Sequence, residues 1–464
     1  MKEECILIEH GTIITLDKER RIIKNGAITV EGSEISYVGK MSGLRRSAGR
    51  ERVINAEGKL VLPGFINTHT HLEYSGIDRG IADDLPLTVF LSERLRPSEA
   101  VTRPEDIYVS TMLCCLEMIK TGTTCVCDTG GFHPESVAKA VEDAGMRATV
   151  AYGSMDIAPP ERPLAGDQQA STEENLRRSE SLIKEWHGAA GDRIRARCSI
   201  RVLPNVSEEL ILGLNEIAQK YDVGVNAHLS DTEEVVEAAK RMRGCREIEY
   251  LDRLGVLGPR WMGVHMVWLS DDDVEIVRKR DMKVSHCPGG ALHLGFGCTQ
   301  AGKFVELVKK GVTVSLSQDS TTANNSLDMF RSMYLLSIHK DAKMDPTVFP
   351  PEKALEMATI DGAKALLWED KIGSLEPSKK ADIILVDTRR SNWVPMHDFS
   401  IVPNLVYSGD GADVDTVIID GNVVMENRQI KTMDEHSILE KAQRASEEIL
   451  KRADVRIHPR WRVG

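Results

Sequence analysis

The chain has 464 residues, 41% of them hydrophobic, and a formal net charge of -12. That size and apolar content support a sizeable core with more than one structural unit, while the acidic balance argues against a surface built for nucleic acid or an anionic membrane. No apolar run is long enough to cross a bilayer, Met1–Ile8 lacks a signal-peptide pattern, and the nine cysteines contain no CxxC pair. The expectation is a cytoplasmic protein with reduced thiols.

Near the start, Ile6–Ile8, Thr12–Thr15, Ala27–Val30 and Ile35–Val38 read as short strands, punctuated by turns at Gly11, Gly26 and Gly32-Ser33. Ala381–Val386 and Val417–Val424 read the same way far downstream, so both chain ends are expected to build one small β-sandwich. Between them strands and helices alternate, as in a parallel α/β sheet. Val61, Leu62, Phe65 and Ile66 make a first buried strand running into His69-Thr70-His71. Later strands are Thr123–Asp128, Ala148–Tyr152, Ile194–Ile200, Val223–His228, Met262–His265, Lys283–His286 and Val312–Leu316. Helices are expected over Glu105–Lys120, Glu135–Ala144, Glu173–Trp186, Glu208–Tyr221, Glu233–Leu254, Asp271–Lys279, Gly302–Lys310, Leu327–His339 and Glu352–Leu367, with a Pro-rich loop at Pro159–Pro163.

Eight strand–helix units are the number a (β/α)8 barrel needs. The expected layout is a barrel over 61–368, sandwich parts at 1–60 and 369–433, and a helical tail over 434–464. The tail carries Ile438, Leu439, Ala442, Ala445 and Ile449 at helical spacing behind Asp434 as N-cap, a stripe suited to packing on the barrel or on a second subunit.

Alternate residues of a strand share a face, so His69 and His71 are expected side by side. Other ligand-capable residues collect at strand ends: His228 at the fifth, His265 at the sixth, His286 at the seventh, and Asp319 just past the eighth. Barrels build their active sites at that face. Three histidines and a carboxylate suit zinc, and also iron or manganese. Glu73, Tyr74, Arg201 and Trp268 lie just past strand ends and, with His286, are candidates for the substrate pocket. Neither a glycine-rich phosphate loop nor a G-x-S-x-G elbow is present.

Taken together, these segments resemble the amidohydrolase superfamily, in the branch of S-adenosylhomocysteine, guanine and cytosine deaminases and triazine hydrolases. The matching residues run in order along nearly the whole chain: Pro63–His71, Gly122–Thr124, Ala227-His228, Val264-His265, Ser285–Pro288, Asp319-Ser320, Asn324–Phe330, Ala358–Ala363, Ile372–Leu375 and Lys380–Asp382. The resemblance implies one divalent metal ion, zinc first and Fe2+ or Mn2+ as alternatives, held by His69, His71, His228 and Asp319. It also implies that Asp319 orients or deprotonates the attacking water and that His265 hydrogen-bonds this water or the oxyanion. Ser199–Val202 stands where a lysine bridge would serve two metals, which favours one. A small heterocyclic substrate and a homo-oligomer are further implications.

Two departures stand out. Deaminases of the branch usually read His-x-x-Glu after the third histidine; this chain reads His228-Leu229-Ser230-Asp231, one methylene shorter. Asp231 is expected to shuttle the proton, while Glu233 and Glu234 stand at a helix start where carboxylates commonly cap. Cys287-Pro288-Gly289-Gly290-Ala291 replaces the usual Cys-Pro-x-Ser-Asn and leaves more room. The expected function is metal-dependent hydrolytic deamination of an amino-substituted nitrogen heterocycle (purine, pterin, pyrimidine or triazine), releasing ammonia. The alternatives are removal of an alkylamino or chloro substituent, opening of a cyclic amide, or a non-catalytic binding barrel.

Overall fold

The computed structural model describes residues 5–45, 51–158 and 170–463; the Pro159–Pro163 loop lies outside them. Eight parallel strands follow one another in chain order and form the barrel. Numbered within it, they are β1 (Phe65–Thr70), β2 (Thr123–Asp128), β3 (Arg147–Ser154), β4 (Ile194–Ile200), β5 (Val225–Leu229), β6 (Trp261–His265), β7 (Lys283–His286) and β8 (Val314–Leu316). The seam between β8 and β1 is held by Thr68 Oγ1 donating to Leu316 O at 3.1 Å and by Asp319 N donating to His69 O at 3.1 Å. The closing bond therefore sets Asp319 beside His69.

The helices begin where the sequence supplies a cap. Ser171, Ser207, Thr232 and Ser270 each accept a backbone N–H with the side-chain oxygen, starting Thr172–Trp186, Glu208–Tyr221, Glu233–Arg243 and Asp271–Lys279. Three expected helices are broken in two. Glu233–Leu254 divides at Gly244, which takes φ 76° and ends the first half as a left-handed C-cap. Leu327–His339 and Glu352–Leu367 divide into Met329–Leu335 with Ile338–Ala342, and Pro351–Met357 with Ile360–Ala365.

The expected first strand also divides. Lys59–Pro63 belongs to the terminal sheet and only Phe65–Thr70 to the barrel, with Gly64 between them. A Cβ at Gly64 would lie 2.1 Å from Thr124 Oγ1, so the chain crosses from one unit to the other by a close backbone approach that glycine permits. The terminal sheet has nine strands from both chain ends, and Lys59–Pro63 joins the halves, pairing with Cys5–Ile14 and with Ile383–Asp387. The sheet curls until its edge strand Glu34–Lys40 meets the segment before Ile383, through Ile35 N to Lys379 O at 2.8 Å and Ala381 N to Ser33 O at 2.9 Å. Ile6, Ile28, Ile35, Ile383 and Ile418 pack inside the curl.

Sheet and barrel are clamped by Arg147 of β3, whose buried guanidinium donates to Asp382 at 2.8 Å and Asp420 at 3.0 Å. The tail helix Glu435–Arg452, capped by Asp434, packs on the barrel: Ala442, Ala445 and Ile449 lie against Ile77, and Arg452 pairs with Asp106. Leu439, expected in that stripe, is 49% exposed because it sits one position off the buried face.

Candidate active site and metal centre

His69 is the next-to-last residue of β1 and His71 follows the strand; their ring centroids are 5.1 Å apart. His228 from β5 comes to 4.8 Å from His69 and 5.4 Å from His71, and His265 from β6 to 5.4 Å from His69 and from His228. Asp319 completes the ring of groups, with Oδ1 3.7 Å from His69 Nε2 and 3.8 Å from His71 Nε2, and Oδ2 3.9 Å from His265 Nε2. His265 and Asp319 hold positive φ, 66° and 64°, a conformation that costs about 1–3 kcal/mol for residues with a side chain and persists where the surroundings enforce it. Ser320 N steadies Asp319 by donating to Oδ1 at 2.7 Å.

Burial drives His69, His228 and His265 down to about 3 and His71 well below its usual range, so the imidazoles are neutral and carry lone pairs. His69 Nε2, His228 Nδ1 and His265 Nδ1 are buried without a hydrogen-bond partner among the described residues. Orphaned neutral nitrogens converging on a carboxylate are the donor set a divalent metal ion requires. The ligand-capable atoms of His69, His71 and His228 lie within 4.8 Å of one another, as do those of His69, His265, Cys287 and Asp319. Cys287, not considered as a ligand from the sequence, is engaged elsewhere: its Sγ is 3.0 Å from Ser317 Oγ, and burial raises the thiol well above its usual range.

Above the cluster lies a cavity of about 470 Å3. Of the residues singled out from the sequence, His71, Tyr74, Arg201, His228, Asp231, His265 and Asp319 line it. Tyr74 stacks on His71 with centroids 5.1 Å apart. Arg201, just past β4, pairs with Glu99 and lies 5.2 Å from the Phe132 ring. Asp231 is buried, accepts Thr232 N at 2.8 Å, and is pushed by burial up to about 6. Glu233 and Glu234 point to solvent at the helix start.

Three candidates are displaced from the wall. Glu73 turns back to accept Phe132 N at 3.1 Å. Trp268 donates Nε1 to Phe296 O at 2.7 Å, and it is Phe296 that reaches the cavity. His286 is buried behind the site, its ring stacked 3.7 Å from Phe304 and its Nε2 3.0 Å from His339 Nε2. A strand-end position sets which rim a residue joins, while its rotamer follows neighbours that the local sequence does not name.

The apolar walls were not anticipated. Leu87, Phe90, Leu91 and Leu95 come from the insert after β1, and Val235, Ala238 and Met242 from the helix Glu233–Arg243. The signals in the sequence are the insert's apolar run, whose course depends on what it packs against, and the i, i+3, i+7 spacing of Val235, Ala238 and Met242.

The amidohydrolase family model matches residues 60–424. The chain belongs to this family. It is accordingly a hydrolase acting on carbon–nitrogen bonds. A relative from Methanothermobacter thermautotrophicus, described as 5'-deoxyadenosine deaminase, is 38% identical over 97% of this chain and 100% of its own length. A 5-methylthioadenosine/S-adenosylhomocysteine deaminase from Pelotomaculum thermopropionicum is 37% identical over 96% of this chain and 99% of its own. Among solved structures, an adenosine deaminase from Xanthomonas campestris with bound zinc superposes with a TM-score of 0.89 at 28% identity, covering 97% of this chain and 100% of that one.

Proposed function

We propose that the protein deaminates an adenine nucleoside whose 5' position is apolar or sulfur-linked, replacing the ring amino group by oxygen and releasing ammonia. Family membership and the named activities of its relatives support the reaction. The leucine and phenylalanine wall supports the nucleoside class, because it offers a 5' substituent apolar contact rather than hydrogen bonds. The observation that carries the reading is Asp231, a buried carboxyl on the cavity wall with its proton affinity raised to about 6.

His69, His71, His228 and Asp319 would hold the ion, which we take to be zinc. When bound, it supplies the Lewis acidity that makes water a nucleophile near neutral pH. Asp319 takes up or directs a water proton. Asp231 protonates the ring nitrogen as water adds to the adjacent carbon. As a carboxylate it then carries the adduct's hydroxyl proton to the amine, which leaves as ammonia as the carbon–oxygen double bond forms. The proton taken up by Asp319 restores Asp231. His265 hydrogen-bonds the oxygen as the carbon becomes tetrahedral. Arg201 and Tyr74 position the substrate.

We further propose that the barrel and terminal-sheet units divide at Gly64, that the protein is cytoplasmic, consistent with its free cysteines, and that it forms a homo-oligomer. No helix among the described residues is long and apolar enough to cross a membrane. The deciding test is ammonia release by zinc-loaded protein from 5'-deoxyadenosine, 5'-methylthioadenosine, S-adenosylhomocysteine and adenosine. Silence on the whole panel with metal bound would overturn the reading.

A further inference from the structure

A second cavity, of about 550 Å3, lies at the opposite end of the barrel, near the N-terminal ends of β3, β4 and β5. Strand β4 connects the two ends: Arg195 and Arg197 line the lower cavity and Arg201 the substrate pocket. The arginines around the lower cavity are not equivalent. Arg195 has Asp192 at 3.0 Å, and Arg260 pairs with Asp222. Arg197 is 2% exposed, and among the described residues no carboxylate pairs with it.

The contacts of Arg197 are weak. Nη1 stands 3.9 Å from Cys127 Sγ, Nη2 is 3.5 Å from Val225 O, and Nε is buried without a partner among the described residues. A Cβ at Gly224 would lie 2.4 Å from Nη2 and 2.9 Å from Cζ, so this glycine is what admits the guanidinium to the cavity edge. A guanidinium is a permanent cation with five donors in a planar fork, and burying one without a counter-charge is strongly unfavourable. Beside it, Thr149 Oγ1 accepts Trp368 Nε1 at 3.1 Å and keeps its own O–H to donate.

We propose that the lower cavity is a binding site for a small oxyanion, a carboxylate or a phosphate group, anchored by Arg197. The planar fork matches either group with paired hydrogen bonds. Asp192, Asp222 and Asp370 on the same cavity select against a large polyanion. The inference is independent of the deamination reading, since none of these residues reaches the histidine cluster.

The test is titration of the full-length, zinc-loaded protein with acetate or inorganic phosphate at constant ionic strength, followed by calorimetry and thermal melting. Saturable binding with a rising melting temperature is expected for at least one of the two, and which one responds identifies the group. Arg197→Met should weaken that binding by at least about tenfold, the scale of a charge-assisted hydrogen bond. Gly224→Ala, which keeps the charge but displaces the fork, should weaken it as well and carries the test alone if Arg197→Met does not fold. No saturable response in the parent protein overturns the proposal. So does a response unchanged in the variants, which would place the anion at the metal centre or on the surface.

Discussion

His69 Nε2 is buried, has no hydrogen-bond partner among the described residues, and faces Asp319 Oδ1 at 3.7 Å. That separation is too long for a hydrogen bond and suits two ligands that each approach one metal ion to about 2.0–2.2 Å. The pair is local to the barrel seam, where the Asp319 N–H donates to His69 O. Closing the barrel and assembling the ligand set are thus one event.

Asp319→Ala should therefore abolish stoichiometric metal by plasma mass spectrometry and lower kcat by about 10²–10⁴-fold, the range for loss of a proton-transfer group. A variant that keeps its full metal content would show that Asp319 is not a ligand.

Asp231→Asn separates proton transfer from metal binding. It should retain metal and its melting temperature while kcat falls by about 10²–10⁴-fold. Asp231→Glu lengthens the stem to the form usual in the branch, and its activity should stay within about tenfold of the parent. Full activity in Asp231→Asn would remove Asp231 from the mechanism.

The clamp between the two units is predicted to dominate stability. Arg147 is fully buried between Asp382 and Asp420, and removing one partner of a buried ion pair costs about 3–5 kcal/mol. Arg147→Ala should lower the denaturation midpoint accordingly, and a change below about 1 kcal/mol would show the clamp to be dispensable.

Stability should also fall as pH rises from about 4 to about 8. Burial first, and then Glu99, push the Asp78 carboxyl up to about 8, and neither of its oxygens has a partner among the described residues. Glu73 and Glu247 are likewise raised by burial to about 8. A carboxyl with a raised folded pKa binds its proton more tightly when folded. Its contribution is whole below the unfolded value of about 4 and is lost as pH climbs through the folded one. The melting temperature should decline from about pH 4 to about pH 8 and level off above it, and Asp78→Asn, neutral throughout, should flatten that decline. Parallel curves for parent and variant would refute the assignment.

Much of the site was legible because strand ends are a local property. The histidines at 69, 228 and 265 occupy the last or next-to-last positions of apolar strands and His71 follows one directly, and residues on strand ends of a barrel converge at one rim. Glu73, Trp268 and His286 met the same criterion and left the wall, each drawn by a distant partner: Phe132, Phe296 and His339. The Pro63-Gly64 pair marks a break there, but both flanks are apolar and extended, so nothing local shows that they join different sheets.

The sequence by itself determined the eight strand–helix units, the two-ended sheet and the identities of the ligand-capable groups, since periodicity and strand-end position are written in neighbouring residues. Only the tertiary structure decided which side chains share the cavity, that Glu99 holds Arg201, that Arg147 ties the barrel to the sheet, and that Arg197 stands without a carboxylate partner among the described residues. Those relations join residues distant in the chain, or turn on the absence of a partner, and packing alone settles both.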